Sequence, residues 1–119
     1  MSKPGSAAEE AAEAFLRRQG YRILRRNYRC PAGEIDIVAR EKKAFCFVEV
    51  KSRNSDTCGS PAEAVTPEKR RRLCRAAAWY LSESGNEDAI SRFDVVAVLY
   101  EGVGPKIELY KDAFECEER

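Results

Sequence analysis

Residues 33–53 constrain this chain more than any other stretch. They read Gly-Glu-Ile-Asp-Ile-Val-Ala, a short charged turn, then Phe-Cys-Phe-Val-Glu-Val-Lys-Ser-Arg. Two apolar, strand-like runs at 34–40 and 44–52, joined across Glu41-Lys42-Lys43, predict an antiparallel hairpin. Charged side chains inside such runs are costly unless partnered, and these runs hold Asp36, Glu49 and Lys51. Strand side chains alternate, which places Glu49 and Lys51 on one face. A hairpin turning at 41–43 brings Asp36 opposite position 48 or 49, within reach of Glu49.

Two chemistries fit that trio. Converging carboxylate oxygens suit a hard ion such as Mg²⁺ (or Mn²⁺), which keeps several waters. The metal would polarise a scissile phosphate and hold the attacking water. Lys51 would stabilise the charge of the transition state or help deprotonate that water, making Asp36, Glu49 and Lys51 candidate catalytic residues. The alternative is structural, with Glu49 and Lys51 as an ion pair where the sheet meets solvent and Asp36 capping a turn.

The flanking segments set the architecture. The third strand is apolar on both parities, which predicts a central position with helices on both faces. Residues 6–19 are strong helix formers, with Ser6 and Glu9 in the form of a capping box and Gly20 as the stop. Tyr21 to Arg29 reads as a strand and Pro31-Ala32-Gly33 as a turn. Residues 54–65 form a long loop, and Thr66-Pro67 opens a helix running to about Leu81. That helix buries Leu73, Ala76, Ala77, Tyr80 and Leu81 and exposes Lys69 to Arg72, of which Arg70 to Arg72 read as a solvated face. Phe93–Tyr100 and Lys106–Tyr110 are the last strands. The order α-β-β-β-α-β-β is an α/β sandwich whose third and fourth strands run parallel through a right-handed crossover.

Composition narrows the chemistry. At 119 residues and 44% hydrophobic, the chain suits one domain, 1–119, with residues 1–5 and 112–119 frayed. The absence of histidine removes the usual general base and the commonest zinc ligand, so hydrolysis here must rest on carboxylates, lysine and a hard metal. No apolar run approaches the roughly 20 residues of a membrane span, and the polar N-terminus does not resemble a secretory signal. The five cysteines (30, 46, 58, 74 and 116) are odd in number and scattered, and three sit in apolar or helical runs where a free thiol behaves as a small hydrophobe, hence a reducing, cytoplasmic location. Net charge is +1, yet residues 15–75 hold 16 Lys/Arg against 7 Asp/Glu, an excess of nine that suggests one phosphate-neutralising face.

Residues 33–53 resemble the YraN family of bacterial proteins, which belongs to the restriction-endonuclease-like PD-(D/E)-x-K superfamily and is similar to Holliday-junction resolvases. The likeness extends through Phe15-Leu16, Gly20 to Leu24, Asn27, Gly59 to Val65, Lys69 and Arg92 to Val96. It implies a restriction-endonuclease-like three-layer sandwich around a mixed five-stranded sheet. It also implies metal ligation by Asp36 and Glu49, with Lys51 as the catalytic lysine. Resolvase-like members carry a further glutamate on the first helix, for which Glu9 is the match. The family pattern has Gly-Glu there and this chain has Ala8-Glu9, so Glu9 stands open between metal ligand and helix cap.

Arg25, Arg26, Arg29, Arg53 and Lys69 flank the trio and are candidate nucleic-acid contacts, with Glu63 a candidate site-loop residue. The functional expectation is a Mg²⁺-dependent endonuclease on DNA, with branched or structured DNA as candidate substrates. Backbone contacts would dominate, without strong sequence preference. The resemblance also raises a homodimer, since resolvase-like relatives are dimers. The alternative is a nucleic-acid-binding module that keeps the nuclease-type fold without cutting.

Overall fold

The structure is a computed structural model and describes residues 6–54, 65–100 and 102–117. It contains α1 (Ala7–Arg18), β1 (Arg22–Cys30), β2 (Gly33–Glu41), β3 (Ala44–Asn54), α2 (Pro67–Glu83), β4 (Ser91–Tyr100) and β5 (Pro105–Phe114). This is the predicted element order. The five strands form one mixed sheet in sequence order, β1 to β5. All neighbours are antiparallel except β3 and β4, which are parallel, as the α2 crossover requires.

Local chemistry sets the helix ends. Ser6 accepts the Glu9 N–H at 3.3 Å and Thr66 accepts the Lys69 N–H at 3.2 Å, with Pro67 in the first turn of α2. Gly20, at φ +96°, turns the chain out of α1 in a conformation that side chains with a Cβ rarely adopt.

The central strand divides two cores, as its double-sided apolar pattern predicts. On one face Ala12 and Leu16 of α1 pack over Ile37, Cys46, Val48 and Val96. On the other, α2 lays Leu73, Ala76, Ala77 and Tyr80 over Ile35, Phe45, Phe47 and Phe93. An aromatic chain runs through the second core. Tyr80 meets Tyr28 edge-on at 5.2 Å, and Phe93 stacks on Phe114 at 4.8 Å. The result is three layers, helix on sheet on helix.

Two expectations need correction. Fraying from residue 112 does not hold for Asp112–Phe114, which complete β5. Phe114 is buried against Phe93, and the Asp112 N–H donates to Asp94 at 2.9 Å. Nor are all the cysteines free thiols. Cys74 of α2 is bonded to Cys116 across 42 residues of sequence, while Cys30 and Cys46 are free. That pairing depends on β5 ending beside α2, which cysteine spacing does not encode. Residues 1–5, 118–119 and most of the 54–65 loop, including Glu63, lie outside the described residues. No helix among the described residues is long and apolar enough to cross a membrane.

Candidate active site

The site forms where β2 and β3 part. Their ladder runs from the turn only as far as Ile37 opposite Val48. Beyond it the Val50 N–H donates to Asp36 Oδ2 at 2.8 Å. The aspartate is thus held beside Glu49 as the sheet opens. This satisfies the Val50 donor while keeping a carboxylate at the strand ends.

Glu49 is 5% exposed and lies on the α2 side of β3, in alternation with Phe47. Two lysines reach the same oxygen. Lys69 Nζ, from the first turn of α2, stands 2.7 Å from Glu49 Oε2, and Lys51 Nζ stands 3.7 Å from it. The Glu49–Lys51 pair considered as a structural alternative therefore exists, but as the weaker of two contacts. Lys69, expected as a phosphate contact, is the closer partner of the glutamate.

Burial and the neighbouring Glu49 charge push the Asp36 carboxyl up to about 7, against smaller opposing effects of the Val50 N–H and Lys69. Two acids forced together in a half-dry cleft resist joint ionisation. The cleft has a volume of about 240 Å³ and includes Gly33, Glu34 and Arg72 as well as Asp36, Glu49 and Lys69. Arg72, read from sequence as part of a solvated helix face, thus borders the carboxylates while also pairing with Glu68 at 3.4 Å.

Glu9 is held differently. Its carboxylate accepts from Asn27 Nδ2 at 3.2 Å and lies 3.7 Å from Arg26. Its charge raises the Asp36 pKa, though less than burial and Glu49 do. Among the described residues, no three His, Cys, Asp or Glu side chains converge in a group able to hold a metal. Asp36 and Glu49 therefore stand as a pair, and Glu9 remains with α1 and β1.

Asn27 explains how Glu9 is held. It has φ +54°, a left-handed conformation that asparagine tolerates better than most residues. The irregularity lets the adjacent Arg26 and Asn27 both reach α1, against strict strand alternation. Its signal in the sequence was an asparagine inside a strand, where that residue is otherwise depleted.

The remaining arginines separate. Arg26 is committed to Glu13 at 2.9 Å, which makes it a link between β1 and α1 rather than an exposed phosphate contact. Arg25 is exposed over the Tyr28 ring at 5.1 Å. Arg29 is exposed and pairs with Glu34 at 3.2 Å, and Arg53 is half-buried near the end of β3.

The residues fit a divalent cation in kind. The donors are hard carboxylate oxygens, without histidine or cysteine, and their mutual repulsion is what such an ion relieves. Asp36 and Glu49 would hold it.

Comparison with known proteins places these features in a family. The model of the "Uncharacterised protein family UPF0102" matches residues 8–98. A UPF0102 protein of Desulfosudis oleivorans is 48% identical over 112 residues, covering 94% of this chain and 89% of the relative. One from Syntrophus aciditrophicus is 49% identical over 113 residues, covering 95% and 89%. Among solved structures, that of an EndoMS–dsDNA2 complex is similar with a TM-score of 0.46 and 19% identity. The match covers 86% of this chain and 40% of that chain, so the present chain spans about two fifths of the neighbour's length.

Proposed function

The chain belongs to the UPF0102 family, the one its motifs resemble under the name YraN, and from that premise we propose that it is a metal-dependent endonuclease hydrolysing phosphodiesters in DNA. One observation carries the reading: Asp36 and Glu49 are pressed together at an opening of the sheet, with Lys51 and Lys69 on the same glutamate oxygen. Asp36 departs from a structural ion pair: a second acid stands beside it, and its donor is a backbone N–H. Here Asp36, Glu49 and Lys69 line one cleft, and Lys51 reaches the same glutamate oxygen.

The residues divide the work. Asp36, fastened by the Val50 N–H, and Glu49, buried and rigid on the central strand, present oxygens to a cation. A bound Mg²⁺ or Mn²⁺ would supply Lewis-acid polarisation of a phosphate and a more acidic water. Lys51 has its ammonium within 4 Å of Glu49, placed to neutralise charge on a phosphate entering the cleft. Lys69 and Arg72, both from α2, add positive charge at the same mouth. Arg25, Arg29 and Arg53 extend that charge along the strands as backbone contacts, with branched or structured DNA as the substrate class to test first.

Incubating labelled duplex, flap and four-way-junction DNA with Mg²⁺ or Mn²⁺ tests the proposal. Cleavage by the wild type, lost by at least about a hundredfold in Asp36→Ala and Lys51→Ala, is the expected result. Salt-sensitive binding without cleavage of any substrate would instead identify a non-catalytic nucleic-acid-binding module. The Lys69–Glu49 contact at 2.7 Å, which occupies a glutamate oxygen that a cation would need, is the feature that favours this second reading.

A further inference from the structure

α2 carries two cationic faces, and the proposed function uses only one. Lys69 and Arg72 border the carboxylate cleft. Around the helix, Arg71 and Arg75 are one turn apart and exposed, and they border a separate cavity of about 350 Å³. Cys74, Glu115 and Glu117 line the same cavity. We infer that the Arg71–Arg75 face is a polyanion-binding surface, and that the acidic C-terminal segment, held beside it by the Cys74–Cys116 bond, screens it electrostatically.

Three observations support this assignment. The first is what holds each arginine. Arg70 is architectural, with Nε donating to the Val65 carbonyl at 2.9 Å and its guanidinium 5.1 Å from the Phe114 ring. Arg71 and Arg75 differ: among the described residues neither has an ion pair within 4.0 Å. Their donors are spare, in a helix that already brings Lys69 and Arg72 to the cleft.

The second observation is the C-terminal segment. Residues 112–119 hold four acids against one arginine. β5 ends at Phe114, and Glu115 to Glu117 continue as exposed irregular chain. Such a segment ordinarily frays. The third observation is the bond that prevents this. Cys116 is joined to Cys74 with a Cα–Cα distance of 5.9 Å, and Cys74 stands three residues after Arg71 and next to Arg75 on the helix. The covalent link places carboxylates where DNA phosphates would otherwise approach.

Reduction would open the surface. A dithiol such as dithiothreitol attacks the bond, and in two exchanges becomes a cyclic disulfide while Cys74 and Cys116 become thiols. Two electrons and two protons pass from reductant to protein. The tail is then free to leave, and Arg71 and Arg75 can neutralise two more phosphates. Each phosphate neutralised steepens the salt dependence of binding by about 0.9 in log–log slope.

The inference rests on the nucleic-acid binding proposed above, and the test separates the two. Fluorescence anisotropy with a labelled duplex would be measured at several salt concentrations for oxidised and dithiothreitol-reduced full-length protein. Thiol counting before and after reduction reports the bond, and circular dichroism reports the fold. Reduction, or Cys116→Ser, is expected to tighten binding about tenfold at low salt and steepen the slope by about two. Arg71→Ala/Arg75→Ala should abolish that gain and leave the binding of the oxidised form unchanged. Equal affinity and slope in both redox forms would overturn the inference while leaving the proposed function intact. So would a gain that survives in the double variant, or a native protein whose cysteines are all free. Absence of binding by either form would overturn both.

Discussion

Asp36 and Asp94 are aspartates on neighbouring regions of one sheet, and their surroundings are opposites. Asp94 is 0% exposed yet fully provided for. It accepts from Tyr21 Oη at 2.7 Å, Arg92 Nε at 3.0 Å and the Asp112 N–H at 2.9 Å. Arg92 continues the network to Glu41 at 2.6 Å, and Lys111 joins Glu41 at 2.9 Å. This cluster ties the end of α1, the β2–β3 turn and the β4–β5 pair together. Asp36 has one backbone donor and a second acid beside it. A buried carboxylate with its own cation and several donors is a staple; one held against another carboxylate keeps its charge unbalanced.

Substitutions should expose this contrast. The largest effect belongs to Asp94→Asn, which places an amide donor among donors and leaves Arg92 short of charge. It should destabilise the fold by about 3 kcal/mol, read by denaturant unfolding. A change below about 1 kcal/mol would show that the network is not the staple its geometry describes.

Asp36→Asn should act in the other direction. The Asp36 pKa is raised from 3.8 to about 7 in the folded state, so between those values the native protein binds more protons than the unfolded chain. Stability therefore falls as pH rises through that window and is at its lowest above it. Asn can still accept the Val50 N–H but carries no charge. The variant should be more stable than wild type at pH 8 by on the order of 1–2 kcal/mol, with little difference near pH 4. Urea unfolding at the two pH values checks the sign, and a variant less stable at pH 8 would refute it.

Lys69→Met should have the smallest effect. Its side chain is 38% exposed, so solvent screens the Glu49 contact, and the loss should be about 0.5–1 kcal/mol at neutral pH. A larger loss would move Glu49 toward the Asp94 type of site. Parity with wild type would mark the pair as one that metal or phosphate can readily exchange.

Much of this molecule was legible in the residues. The double-sided apolar pattern of 45–50 required a central strand between two helices, and Thr66-Pro67 marked the start of α2. The hairpin turn set Asp36 near Glu49. Four features were not legible. Arg26 reads as one more surface cation but is taken up by Glu13. Asp112–Phe114 read as a fraying tail but complete a strand. Arg72 and the Cys74–Cys116 bond depend on where α2 lies over the sheet and where β5 ends.

The division follows from range. Alternation, helix caps and turn residues act over a few positions, and they specified the elements, their order and the Asp36–Glu49–Lys51 trio. Which cation answers which carboxylate depends on distances between elements far apart in sequence, at a few ångströms' tolerance. Lys69 lies 20 residues from Glu49 and reaches it because α2 packs Leu73 and Ala76 onto the same sheet face. Asp94 became a staple, and Asp36 an acid with a raised pKa, only once the packed sheet had given three donors to one and a neighbouring carboxylate to the other.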